Sequence, residues 1–201
     1  MPLILSTVSV DRGISIFSNG NTIINNIIKD PFEEGILAQA FFNGEQTSSA
    51  DRNIIKGNTI IKSRKFGLRL SKDRNLGTSN DNQIISNTII SSGRDGIFVR
   101  GSRNVILENT IDQSGQIGIG VDSFTFNETP FISEGVIIKD NSITNSNAGI
   151  AIDSDTTGLS NPSGSSNTVV IGNTLAGNTD NIDDQGANTV LAGNINGTEV
   201  M

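Results

Sequence analysis

The chain has 201 residues, 34% of them hydrophobic and only 4% aromatic, with a formal net charge of −7. It contains no His, Cys, Trp or Tyr, which excludes disulfides, thiol nucleophiles, Cys-based zinc sites, a Ser-His-Asp triad and every imidazole base or ligand. The length suffices for one domain with a sizeable core, and any catalysis must use Asp, Glu, Lys, Arg or hydroxyls.

In chain order, residues 1–12 read as a partial N-terminal coil, built on Leu3-Ile4-Leu5 and Val8-Ser9-Val10. From Gly13 two elements alternate. The first is Gly, aliphatic, any residue, then small or aliphatic. Its copies are Gly13-Ile14-Ser15-Ile16, Gly35-Ile36-Leu37-Ala38, Gly67-Leu68-Arg69-Leu70, Gly96-Ile97-Phe98-Val99, Gly118-Ile119-Gly120-Val121 and Gly149-Ile150-Ala151-Ile152. Period-two alternation turns the second and fourth positions inward.

The second element is centred on Asn26, Asn58, Asn87, Asn109, Asn141, Asn173 and Asn194, spaced 21–32 residues apart. Three residues before each Asn stands Ile23, Ile55, Ile84, Ile106, Ile138, Val170 or Leu191. Two residues after it stands Ile28, Ile60, Ile89, Ile111, Ile143 or Leu175, and the pattern fails only at Asn196. Fixed offsets across an Asn predict two short strands flanking a tight turn, with the Asn taking the left-handed conformation there. Stacked amides would hydrogen-bond along the axis as an asparagine ladder.

Each repeat therefore holds three strands, and equivalent strands must pair in parallel, because two others lie between them. Parallel crossovers are right-handed. The prediction is an all-β, single-stranded, right-handed parallel β-helix of about seven coils, a single domain over 1–201 with 195–201 as a C-terminal tail. Length variation falls between the Gly-strand and the Asn-strand, near 40–52, 71–81, 122–134 and 153–166. These Gly-, Ser-, Asn-, Asp- and Pro-bearing stretches are predicted as loops on one side of the solenoid. Phe41, Phe42, Phe124, Phe126 and Phe131 fall in them, and are expected to pin the loops onto the coils rather than to stack on sugars.

Charge is unevenly spread. Residues 1–103 hold 13 Lys and Arg against 9 Asp and Glu, whereas residues 104–201 hold one Lys against 12 acids. The acidic half argues against nucleic acid as the main partner. No stretch approaches the roughly 20 apolar residues of a membrane-spanning helix, so no membrane insertion is expected. Met1 to Val10 lacks the basic start and long apolar run of a signal peptide. The ends lack obvious caps, which fits part of a longer chain or an oligomer.

From Gly13 to Asn194 these repeats resemble the right-handed β-helix region of the pectin-lyase-like superfamily, also seen in NosD-like proteins and mannuronan epimerases. The resemblance implies polysaccharide as the ligand class and an extracellular or cell-surface setting. It does not imply a particular reaction. Polygalacturonase-like hydrolases combine Asn-Thr-Asp and Asp-Asp elements with Gly-His-Gly and Arg-Ile-Lys. This chain has Asn178-Thr179-Asp180 and Asp183-Asp184 a few residues apart, without the other two, and the match reads as chance. Mannuronan epimerases use His and Tyr, which this chain lacks.

Register points to one candidate site. The residue after each Gly-strand is Phe17, Gln39, Ser71, Arg100, Asp122 and Asp153. Stacking would bring Arg100, Asp122 and Asp153 about 5 Å apart, one per rung, with Arg69 and Asp155 close by. Paired carboxylates with an Arg fit binding of an acidic sugar, or retaining glycoside hydrolysis. As ordinary loop-start residues they equally fit a charge ladder on a solenoid surface. Asp153-Ser154-Asp155 is at most a weak calcium site, since two acids are too few; no other cofactor or metal is expected. The expected function is a non-catalytic, carbohydrate-interacting module of a secreted or surface protein. The alternatives are a diverged polysaccharide lyase or glycoside hydrolase acting on an acidic polysaccharide through Arg100, Asp122 and Asp153, and a structural spacer of a longer adhesin.

Overall fold

The computed structural model describes residues 4–5, 11–42, 47–72, 77–126, 129–153 and 164–197. They contain no helix, and their strands build three parallel sheets of eight, seven and seven strands. The chain is a right-handed parallel β-helix, and each coil passes through the three sheets in turn.

The sheet before the ladder asparagines contains Thr22–Ile24, Ile54–Lys56, Gln83–Ile85, Val105–Leu107, Ile137–Lys139, Val169–Ile171 and Val190–Ala192. Its register places Ile23, Ile55, Ile84, Ile106, Ile138, Val170 and Leu191 in one column. The sheet after the asparagines stacks Ile28, Ile60, Ile89, Ile111, Ile143 and Leu175 in the same way, and Ile4–Leu5 pairs onto its first strand. The middle members of these columns are wholly buried and form one continuous core. At the last rung Leu191 is 48% exposed and Ile195 62%.

The third sheet carries the Gly-strands, whose glycines make room for the core. A Cβ on Gly96 would lie 2.5 Å from Ile111 Cγ2 and 2.7 Å from the Gly118 carbonyl. This sheet has a seventh strand, Asp180–Asp184, paired with Ala148–Ile152. It escapes the sequence pattern because Asn181 stands where the others have Gly. Two of the predicted loops are more ordered than expected, each containing a small antiparallel hairpin: Phe41–Phe42 with Thr47–Ser48, and Phe124–Phe126 with Thr129–Phe131. Phe124 and Phe131 stack across the second hairpin at 4.8 Å, and Phe41 packs on Phe17 at 5.7 Å.

The corners correct one sequence expectation. The left-handed residue is not the ladder Asn but the residue before it: Asn25, Gly57, Ser86, Glu108, Asp140, Gly172 and Gly193 all have positive φ, between 51° and 68°. That residue absorbs the bend, which leaves the Asn free to aim its amide inward. Each amide then donates to the Oδ1 of the next coil, from Asn26 through Asn58, Asn87, Asn109, Asn141 and Asn173 to Asn194, at 2.9–3.0 Å. From Asn58 onward the same amide also donates to a strand carbonyl of the preceding coil, as Asn109 does to Ile84.

A second corner repeats this device, and the third keeps only its positive φ, since the Ser63, Ser92 and Ser114 hydroxyls there have no hydrogen-bond partner. Gly20, Arg52, Asp81 and Arg103 have positive φ and precede a second ladder, Asn21, Asn53, Asn82 and Asn104. At the third corner Asp30, Lys62, Ser91, Gln113 and Asn145 have positive φ; the residues that follow them are Pro31, then buried Ser63, Ser92, Ser114 and Ser146.

Two substitutions measure these layers. Ile106→Asn places an unsatisfied amide in a fully buried column and should cost more than about 3 kcal/mol. Asn109→Ala strips three donor contacts from a buried corner and should cost on the order of 3 kcal/mol, against about 1 kcal/mol for Asn26→Ala at the half-exposed first rung. Urea denaturation of the three variants measures the ordering.

Candidate functional site

The outer face of the Gly-strand sheet presents columns of side chains, one residue per rung. Backbone bonds from Arg100 to Leu70, Asp122 to Val99 and Asp153 to Val121 stack Arg100, Asp122 and Asp153 on successive rungs. Their side chains part company. Arg100 grips Asp122 through two nitrogens, with Nε at 2.7 Å from Oδ2, and lies over the rings of Phe98 and Phe124 at 5.0 and 4.8 Å. Burial pushes the Asp122 carboxyl above its usual range, while the Arg100 charge opposes the shift.

Asp153 turns away from this pair. It has positive φ and is 7% exposed. Its Oδ1 accepts from the Ser123 amide at 3.0 Å and the Ser165 hydroxyl at 2.7 Å, and its Oδ2 accepts from the Ser165 amide. A carboxylate so saturated fastens the end of one insertion to the start of another. Asp155 lies outside the described residues. Among the described residues no three His, Cys, Asp or Glu side chains gather as metal ligands would.

Arg69 lies under the same surface. It bonds Glu34 at 3.2 Å and sits 5.1 Å over the Phe66 ring and 5.8 Å over Phe98. Burial lowers its pKa, and Glu34 opposes the shift. Glu34 is shared, since it also accepts from Arg12.

One half-buried cation on this face has no counterpart in the sequence-predicted site. Arg94 stacks 4.9 Å over Phe66 and donates to Gln116 at 3.2 Å, but makes no ion pair among the described residues. It belongs to the column two residues before each glycine, Asp11, Glu33, Lys65, Arg94, Gln116 and Asn147, which Thr179 continues two residues before Asn181. Backbone bonds tie successive members up to Gln116. Glu33 and Lys65 pair with one another, which leaves Arg94 at the head of an uncharged stretch. The fixed offset from Gly96 was the available signal.

A groove of about 480 Å³ begins one rung further on, lined by Gln116, Ile117, Asn147, Ala148, Thr179, Asp180 and Asp183, and Arg94 meets it through the bond to Gln116. Its floor is apolar, its rim carries amides and a hydroxyl, and its far end is acidic. Beside Arg94, Asp95 is 3% exposed with an Oδ1 that has no hydrogen-bond partner. Burial pushes its carboxyl up to about 6, against the pull of Arg94.

Comparison with known proteins places this surface in context. A family model described as periplasmic copper-binding protein (NosD) matches residues 18–129. No curated protein matches the chain in sequence. Among solved structures, the periplasmic alginate epimerase AlgG is 18% identical with a TM-score of 0.71, over 94% of this chain and 44% of that one. The A-module of the Azotobacter vinelandii mannuronan C-5 epimerase AlgE4 is 18% identical with a TM-score of 0.74, over 90% of this chain and 48% of that one. The A-module of AlgE6 from the same organism is 16% identical with a TM-score of 0.69, over 98% and 58%. At these identities the likeness is one of fold, and the chain spans about half the length of those structures.

Asp95 yields a pH prediction with a definite sign. Its folded pKa lies above the ordinary value of about 3.9, so the folded state holds the proton between about pH 4 and 6 and the unfolded state does not. This contribution to stability is largest near pH 4 and falls as pH rises through about 6. Asp95→Asn should therefore gain on the order of 2 kcal/mol at pH 7 and little at pH 4. Thermal melts of both proteins across that range read the difference.

Proposed function

We propose that this chain, which belongs to the NosD family, is a non-catalytic module that binds an acidic polysaccharide along the outer face of its Gly-strand sheet. The observation that carries this reading is Arg94: a guanidinium without a carboxylate partner among the described residues, stacked on Phe66 and bonded to Gln116, the residue of an apolar-floored, amide-rimmed groove that lies one rung further on. Guanidinium binds carboxylate in a planar fork. An apolar floor suits the C–H face of a pyranose ring, and the Gln116 and Asn147 amides suit its hydroxyls. Arg69 and Arg100 do not compete for the ligand carboxylate, because Glu34 and Asp122 already balance their charges.

Two names among the comparisons fit this reading. AlgG is an alginate epimerase and AlgE4 a mannuronan epimerase, and both polymers are uronates. AlgG and NosD are both described as periplasmic, which favours a site of action outside the cytoplasm. Binding is preferred to turnover because the best-placed acid, Asp122, is bound by Arg100, and Asp153 is committed to Ser123 and Ser165.

The copper in the family description does not fit these residues. Protein copper sites draw on imidazole, thiolate and thioether ligands. Residues 1–201 contain neither His nor Cys, and their two methionines are Met1 and Met201. No role for copper is derived for this stretch.

Arg94→Ala should weaken binding of oligouronates at least tenfold and leave the melting temperature within a degree or two. Calorimetric titration of a glycan carrying uronate tests this, with incubation of the same glycan checked for unsaturated or new reducing ends. Unchanged affinity in the variant would remove the site, and steady product formation would replace binding by catalysis.

A further inference from the structure

The charge along the groove is polarised, and the polarity bears on which acidic polysaccharide fits. Arg94 stands at one end. Gln116 and Asn147 follow on the next two rungs, and Thr179 with Asp180 on the third. At about 4.8 Å per rung, Arg94 and Asp180 are separated by roughly 14 Å. That exceeds the screening length of about 8 Å at physiological salt, so each end acts almost independently on the ligand beside it. Between them the lining is Ile117, Ala148 and neutral polar side chains. Asp183 joins Asp180 at the acidic end, and neither forms an ion pair among the described residues.

Resting on the reading of this face as a glycan site, we infer that the groove selects a heteropolysaccharide in which a uronate residue is followed by neutral sugars, and discriminates against a continuous polyuronate. A pyranose repeat is comparable in length with one rung, so a ligand running along the axis sets one carboxylate at Arg94 and its next sugars over Ile117 and Ala148. Neutral sugars there offer hydroxyls to the Gln116 and Asn147 amides, and hydroxyl donors to the Asp180 and Asp183 carboxylates, which only accept. A polyuronate would instead bring a carboxylate against Asp180 and Asp183, where like charges repel.

The test uses two hexasaccharides, a hexamannuronate and a chain with one terminal glucuronate followed by five neutral hexoses. The protein should bind the second at least tenfold more tightly at low salt, with the gap narrowing as salt is added. In Asp180→Asn/Asp183→Asn, hexamannuronate affinity should rise at least threefold, while the single-uronate ligand, which loses two charged acceptors for its hydroxyls, should show no gain. Arg94→Ala should weaken both. Equal affinity of the two ligands, or no gain for hexamannuronate in the double variant, overturns the selectivity and leaves uronate binding standing. Binding of neither ligand overturns both. Far-ultraviolet circular dichroism and melting check that the double variant remains folded.

Discussion

The constraint on which the rest of this structure depends is the inward amide at the corner of each coil. A bend between two strands of one coil needs a residue at positive φ, and Asn25, Gly57, Ser86, Glu108, Asp140, Gly172 and Gly193 supply it. The bend leaves nearby backbone groups without strand partners in a place that water does not reach. The next residue, Asn, meets them: from Asn58 onward its amide bonds a carbonyl of the preceding coil, and its Oδ1 accepts from that coil's Asn. Because each amide depends on the one stacked against it, coils can be added only in register. Buried hydrogen bonds left unmade are costly, so a slipped rung would lose stability at its corners as well as in its aliphatic columns.

Register at the corners becomes geometry on the outside. When inward columns repeat at strand spacing, so do the outward ones, and residues far apart in sequence become neighbours along the axis. Arg94, Gln116 and Asn147 form a line for this reason, as do Arg100 and Asp122. The chain accommodates its long insertions on one seam, between the Gly-strand and the following corner, while the seam before the Gly-strand varies by a single residue. The hairpin at 124–131 uses that freedom to lay Phe124 over Arg100. The scaffold is rigid and repetitive, and chemical individuality is confined to one sheet face and the seam beside it.

That division explains what could be read in the residues and what could not. The aliphatic columns, the glycine column and the ladder from Asn26 to Asn194 repeat at fixed offsets and were legible. The second ladder was less so. It runs as Asn21, Asn53, Asn82 and Asn104, five residues before each anchor Asn, and then changes to Val136, Thr168 and Thr189, so its identity switches within the chain. The strand Asp180–Asp184 was hidden by Asn181 in the glycine position. The left-handed conformation was assigned to the Asn itself, because Asn tolerates it; the observed choice of the preceding residue follows from the need to keep the Asn amide pointing inward. At the site, alignment of Arg100, Asp122 and Asp153 on successive rungs was a consequence of register, but the separate fates of their side chains were not.

The sequence by itself determined the solenoid: its three strands per coil, its hydrophobic columns, its corner asparagines, the side on which insertions fall, and the chemistry closed to a chain without His, Cys or Tyr. These follow from periodicity and composition, which act within a repeat or between adjacent repeats. Only the tertiary structure decided which charges are paired and which are free. Arg100 is claimed by Asp122, Arg69 by Glu34, and Asp153 by Ser123 and Ser165, while Arg94 is left one rung before the groove. Those outcomes depend on where side chains point beyond Cβ, and on what insertions of unequal length bring over them, and no repeating pattern encodes either.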